Sequence, residues 1–75
     1  MSITIYTNPT CPYCAMAKDF FRDKKLPFKE LDVSQDQKNA EEMIKLSGQM
    51  AVPVIQIGDE VIIGFDRSQV EKALK

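Results

Sequence analysis

Histidine is absent from this chain of 75 residues, and cysteine occurs only twice. The missing histidine excludes histidine-based metal triads and every mechanism in which an imidazole acts as general acid or base. Ten Lys and Arg residues stand against eleven Asp and Glu residues, so the net charge is −1. That balance gives no basic surface, so neither nucleic acid nor an anionic membrane is expected as a partner. The apolar runs are also far too short to span a membrane.

The start of the chain carries neither a basic segment nor a long apolar stretch, so we expect no signal peptide and a cytoplasmic location. A chain of this length forms one small domain, here residues 1–75, with a thin core. The apolar fraction of 44% is that of a globular protein and not of a disordered tail. Because no long exposed apolar run needs covering, we expect a monomer. The four methionines are expected to fill gaps in the core.

In the first half of the chain, apolar residues have first the spacing of a strand, then that of a helix, and then that of a strand again. Residues 1–7 alternate as a strand does, and from Pro12 apolar residues recur at spacings of three and four. This predicts a helix that fades at Lys24 and Lys25 and whose buried face is made of Met16, Ala17, Phe20 and Phe21. Residues 28–33 then read as a second, short strand.

The second half continues the pattern. Ser34 followed by Gln37 has the spacing of a capping box, which predicts a helix that ends at Gly48. Its buried face is predicted to hold Ala40, Met43, Ile44 and Ser47. Two β-branched runs, 54–57 and 60–63, are joined by Gly-Asp, which indicates a tight hairpin. Asp66 and Gln69 then resemble a second helix cap, ahead of a last helix that buries Val70, Ala73 and Leu74.

The predicted element order is therefore β-α-β-α-β-β-α. The helical crossover makes the first two strands parallel, and the hairpin makes the last two antiparallel. The prediction is an α/β fold in which three helices cover both faces of one four-stranded mixed sheet.

The two cysteines form the sequence Cys11-Pro12-Tyr13-Cys14 between the first strand and the first helix. A disulfide across so short a loop stabilises a fold little, about 2 kcal/mol in the entropic view, so the pair points to chemistry. At a helix start, unpaired N–H groups and the helix dipole favour thiolate over thiol. We expect Cys11 to attack an external disulfide. Cys14, deeper and less acidic, would then attack the Cys11 sulfur and release the reduced substrate.

Two other uses of the pair remain open. A purely structural disulfide fits poorly with a reducing compartment. A structural zinc ion requires four ligands, and one chain offers only two cysteine sulfurs and no histidine. We therefore expect no metal site within a single chain. Two chains could supply four sulfurs to zinc or an iron–sulfur cluster, which leaves a dimeric metal-binding module as an alternative. A Cys-x-x-Cys motif beside a βαβ unit is nevertheless the redox pattern.

The motif and three later landmarks resemble the glutaredoxin family. Ile5-Tyr6-Thr7 leads into Cys-Pro-Tyr-Cys, and Val52-Pro53, Gly58-Asp59-Glu60 and Gly64-Phe65-Asp66 follow where that family has them. The resemblance covers essentially the whole chain. It implies a thioredoxin fold and dithiol–disulfide exchange, with glutathione as the reducing co-substrate and no tightly bound cofactor. Glutathione and disulfide-containing proteins would be the partners.

The resemblance also implies a substrate groove beside the cysteines. Pro53 would follow a cis peptide bond, leaving the Val52 backbone free to pair with an extended peptide such as glutathione. Asp66 would hold a γ-glutamyl amine, or serve only as a helix cap. Phe65 would line the groove or cover the last helix. The full implied set of substrate-binding residues is Tyr13, Val52, Pro53, Gly64, Phe65 and Asp66.

Three positions depart from the family pattern. Asn8 stands where a lysine commonly binds the glycine carboxylate of glutathione, Ala51 replaces the usual threonine, and Arg67 replaces an acid. These departures motivate an alternative, an electron-carrier redoxin reduced by a flavoprotein of the thioredoxin-reductase kind. Such a carrier would serve a ribonucleotide reductase or a peroxidase. Redoxins of that kind typically carry a different pair of residues between their cysteines.

Overall fold

The computed structural model describes residues 2–74 and contains the seven elements in the predicted order. They are β1 (Ile3–Thr7), α1 (Pro12–Asp23), β2 (Lys29–Asp32), α2 (Gln37–Ser47), β3 (Val54–Ile57), β4 (Glu60–Ile63) and α3 (Arg67–Leu74). Met1, the first residue of the first predicted strand, lies outside the described residues. The second strand is one residue shorter at each end than the predicted 28–33.

The four strands form one mixed sheet in the order β2-β1-β3-β4. β1 and β2 are parallel and are connected through α1, as predicted. β3 runs antiparallel to both β1 and β4. Between β3 and β4, Gly58 has a φ of 57°, a left-handed conformation that glycine adopts without steric cost. The predicted hairpin with its two-residue loop is therefore confirmed.

Strand alternation separates two groups of buried side chains, one on each face of the sheet. Ile3 and Ile5 of β1 pack with α1 and α3 on one face, and Tyr6 packs with Met43 of α2 on the other. The first group comprises Ile3, Ile5, Ala17, Phe20, Phe21, Ile55, Ile57, Ile62 and Val70, and the second comprises Tyr6, Met43 and Val54. The prediction that three helices cover both faces of the sheet is confirmed.

The predicted cap of α2 is wrong. Its N-cap is Asp36, whose carboxylate accepts the Lys38 N–H at 2.9 Å. Ser34 instead turns back, and its N–H and hydroxyl both donate to Asp32 Oδ1, at 2.8 and 2.6 Å. Because that turn occupies Ser34, the helix starts two residues later and takes the next acceptor in the chain. At the other end, Gly48 has a φ of 76° and ends α2 as predicted.

Three apolar residues expected in the core are exposed. Met16, Ile44 and Met50 are 50%, 40% and 72% exposed, respectively. A helical stripe of apolar residues is often wider than the surface that the sheet can cover, so Met16 of α1 and Ile44 of α2 stay at the margin. Met50 lies in the loop between α2 and β3. Of the methionines within residues 2–74, only Met43 is a core residue. Within that same range, no helix has the length and apolar character needed to cross a membrane.

Candidate active site

The loop between β1 and α1 presents Cys11 at the start of the helix. Cys11 is the N-cap of α1 and has extended backbone angles, while Pro12 occupies the first turn, where its missing N–H costs nothing. The Cys11 N–H donates to the Asn8 carbonyl at 3.0 Å. The Asn8 side chain accepts from the Thr10 N–H and hydroxyl at 3.0 and 2.8 Å. Asn8 thus organises the loop that carries the first cysteine.

The two thiols differ in exposure, as predicted. Both are free; Cys11 is half-buried and Cys14 is only 1% exposed. Burial, reinforced by a hydrogen bond to Cys11, raises the pKa of Cys14 to about 11. A hydrogen bond from the Asn8 backbone and the charge of Lys18 act in the opposite direction without overcoming the burial. Cys14 is therefore a thiol at neutral pH.

Val52 lies against Cys11, although it is 41 positions away in the chain. The Cys11 thiol donates to the Val52 carbonyl, with 3.8 Å between sulfur and oxygen. The Val52–Pro53 peptide bond is cis, as the resemblance implies, and Pro53 is buried. The Pro53 carbonyl accepts the Gly64 N–H at 2.8 Å, which ties the β4–α3 connection to the same place.

All six residues predicted to bind substrate line one groove beside these contacts. The groove has a volume of about 280 Å³ and is lined by Tyr13, Val52, Pro53, Ile63, Gly64, Phe65 and Asp66. We call it the substrate groove. Tyr13 projects into solvent from the first turn of α1, with 58% of its surface exposed. Ile63 was not predicted, although strand alternation after the buried Ile62 already places it away from the first core group.

Two of the groove residues also have structural contacts. Asp66 accepts the Gln69 N–H at 3.3 Å, so it caps α3 while lining the groove. Phe65 packs edge-to-face on Phe20 with 5.7 Å between ring centroids. For Asp66 the two uses weighed from the sequence, cap of α3 and contact with the groove, occur together, whereas Phe65 lines the groove and its ring contact is with Phe20 of α1.

A polar network that the sequence did not predict joins α1 to β2. Glu30 Oε2 accepts from the buried Thr7 hydroxyl at 3.0 Å and from Lys18 Nζ at 2.9 Å. The Lys18 hydrogen bond, helped by that from Thr7, holds the pKa of Glu30 below its usual value of 4.5. Lys18 lies one turn after Cys14 on α1, so the network fixes the helix segment that carries the buried thiol. The sign of this network available in the sequence was that Lys18 follows Cys14 at a spacing of one helical turn.

The part of the chain between residues 2 and 74 contains no cluster of three His, Cys, Asp or Glu side chains that could hold a metal ion.

Comparison with known proteins gives concordant matches. The family model described as glutaredoxin matches residues 3–62. A glutaredoxin-like 8.6 kDa protein from the rubredoxin operon of Clostridium pasteurianum is 40% identical over 73 residues, 97% of each chain. Glutaredoxin 3 of Escherichia coli is 43% identical over 65 residues, covering 87% of this chain and 78% of that one. The solved structure of NrdH-redoxin from Escherichia coli superimposes with a TM-score of 0.85 at 28% identity, covering 96% and 93% of the two chains.

Proposed function

Because the chain belongs to the glutaredoxin family and has the thioredoxin fold, we propose that it reduces protein disulfides and glutathione mixed disulfides through Cys11 and Cys14, with glutathione as reductant. The observation that carries the proposal is the pairing of an accessible thiol with a buried one. Cys11 lies at the helix start, where its sulfur contacts Val52 of the substrate groove, and the buried Cys14 is hydrogen-bonded to Cys11. The chain is a thiol–disulfide oxidoreductase by family, and this geometry supports the two roles that we propose for the cysteines.

The proposed reaction proceeds in two exchanges. The Cys11 thiolate attacks one sulfur of the substrate disulfide, forms a mixed disulfide and expels the other sulfur as a thiolate. Cys14 then loses its proton and attacks the Cys11 sulfur, which forms the Cys11–Cys14 disulfide and releases the second substrate thiolate. Two electrons pass to the substrate. Two glutathione molecules would restore the dithiol. The first would attack the Cys11 sulfur, form a mixed disulfide with it and release the Cys14 thiolate. The second would attack the glutathione sulfur of that mixed disulfide, which releases Cys11 and forms glutathione disulfide.

The substrate groove supports glutathione as the proposed reductant. The Val52 carbonyl beside the Cys11 sulfur is a main-chain acceptor that an extended peptide would use. The Asp66 carboxylate lies in the same groove, where it would attract the γ-glutamyl amine. Tyr13 and Ile63, which also line the groove, would contact the peptide with their apolar surfaces.

Serine substitution of each cysteine tests the assignment of roles. Cys11→Ser is expected to abolish reduction of a glutathionylated peptide, because no attacking sulfur remains. Cys14→Ser is expected to retain part of the activity, since a second glutathione can replace Cys14 in resolving the mixed disulfide. Initial rates at millimolar glutathione measure both. Full activity in the Cys11→Ser variant would exclude the proposed function.

A second candidate is an electron carrier reduced by a flavoprotein of the thioredoxin-reductase kind, which would serve a ribonucleotide reductase or a peroxidase. The specific observation in its favour is the set of departures from the family pattern: Asn8 stands in place of the common lysine, Ala51 in place of the usual threonine, and Arg67 in place of an acid. The NrdH-redoxin of Escherichia coli is described as having a thioredoxin-like activity profile. Rapid-mixing measurements on the oxidised protein compare the two donors. Fast reduction by millimolar glutathione, with none by the flavoprotein, would exclude this candidate.

A further inference from the structure

A second, smaller groove adjoins the substrate groove at Val52. It has a volume of about 200 Å³ and is lined by Asn8, Val33, Ser34, Met43, Met50, Ala51 and Val52. We call it the Met50 groove. Val52 lines both grooves, and its carbonyl is the one that faces the Cys11 sulfur. The reacting sulfur therefore lies beside Val52, the residue that the two grooves share.

The lining of the Met50 groove is uncharged and largely apolar. Of its two methionines, Met43 is fully buried and Met50 is 72% exposed. Methionine is flexible and polarizable, which suits contact with apolar side chains of varied shape. Asn8 and Ser34 supply the only polar side chains in the lining, and their oxygens are already used within the loops. A carboxylate placed here would lose hydration without gaining a cation.

We propose that the Met50 groove binds an apolar side chain next to the reacting cysteine in an extended segment of a disulfide-containing protein. The inference rests on the proposed thiol–disulfide exchange and specifies its substrate. In an extended segment each residue advances about 3.3 Å, so a cysteine bonded to Cys11 places its two flanks along the two grooves. Glutathione has a carboxylate on both sides of its cysteine. The uncharged groove therefore favours a protein segment over glutathione at this position.

The probes are symmetric disulfide dimers of short peptides that carry leucine, glycine or glutamate directly before or directly after the cysteine. The pre-reduced protein is mixed with excess probe, and the single-turnover rate of its oxidation is followed, so that no reductant is involved. We expect leucine to be preferred over glycine about tenfold on one of the two flanks, a discrimination typical of an apolar pocket. Glutamate on that flank is expected to react more slowly than glycine.

Met50→Asp is expected to remove most of the leucine preference, measured as the ratio of the leucine to the glycine rate. Ile44→Asp is the matched control, because it also replaces an exposed apolar side chain, on α2, outside the groove lining. It is expected to keep the ratio. Met50→Lys is the second variant, and it is expected to turn the preference towards glutamate. Circular dichroism checks that each variant is folded.

A leucine-to-glycine ratio below twofold on both flanks would overturn the inference, as would an unchanged ratio in both Met50 variants. Bis(2-hydroxyethyl) disulfide, which has no flanking residues, separates this result from failure of the proposed function. If this small disulfide oxidises the protein but the peptide probes show no flank preference, only the inference about the Met50 groove is contradicted. No oxidation of the protein by any disulfide contradicts the thiol–disulfide exchange itself and the inference with it.

Discussion

The proton on Cys14 opposes the second exchange step that we propose. The thiol is buried, and its pKa is raised to about 11, so it must give up its proton as it attacks the mixed disulfide. The Asn8 backbone and the Lys18 charge favour the thiolate, and Glu30 holds the Lys18 ammonium in place at 2.9 Å. The proposed resolving step would therefore depend on residues outside the Cys-Pro-Tyr-Cys motif as well.

The same thiol makes the reduced protein less stable at alkaline pH. Its folded-state pKa lies above the usual 9.0, so its contribution to the free energy of unfolding is complete below pH 9 and is lost as the pH rises towards 11. We expect urea unfolding of the reduced protein to show this loss, and Cys14→Ala to show less of it. Burial also raises the pKa of Tyr6, which acts in the same direction, so Tyr6→Phe is measured in parallel. An identical alkaline loss with and without the Cys14 thiol would contradict the prediction.

The order and type of all seven elements could be predicted because each has a clear apolar period, but the start of α2 could not. Ser34 and Asp36 are both good cap residues, and only Ser34 has a glutamine three positions later. What decides between them is the turn formed by Asp32 at the end of β2, which takes both the hydroxyl and the N–H of Ser34. That choice depends on where the preceding strand stops.

Alanine substitutions at the two positions test this cap. Asp36→Ala is expected to lower the free energy of unfolding by about 1 kcal/mol, because it removes the acceptor of the Lys38 N–H. Ser34→Ala is expected to cost only a few tenths of that, since its turn is exposed and Asp32 can accept from the backbone alone. Urea unfolding at neutral pH measures both. The reverse order of effects would restore Ser34 as the cap.

At the scale of the whole molecule, the substrate groove was largely predictable and the Met50 groove was not. The residues of the substrate groove carry chemistry or unusual backbone geometry, such as Tyr13, Pro53 and Gly64, and these stand out in a sequence. Met50 and Ile63 look like ordinary core residues. Their exposure beside the site follows from how the loops meet at one end of the sheet, which apolar periodicity alone does not specify.

The fold is expected to survive in both redox states. Neither group of core side chains includes a cysteine, and a disulfide between Cys11 and Cys14 constrains only a very short loop. The reduced protein should melt cooperatively, within about 15 °C of the oxidised form, given about 2 kcal/mol from the disulfide and 4–8 °C per kcal/mol. Calorimetry with and without excess reductant measures the difference. A reduced form without a cooperative transition would contradict the prediction.

The strand order leaves β2 and β4 at the two edges of the described sheet, and these edges are not equally protected. β2 carries charge on three of its four residues, which discourages another chain from pairing with it. β4 has a single charge, Glu60, and ends in Ile63, a wall of the substrate groove. At high protein concentration β4 is therefore the edge at which aggregation would begin, and a strand docked there would cover that wall. Aggregation and loss of access to the substrate groove would then occur together.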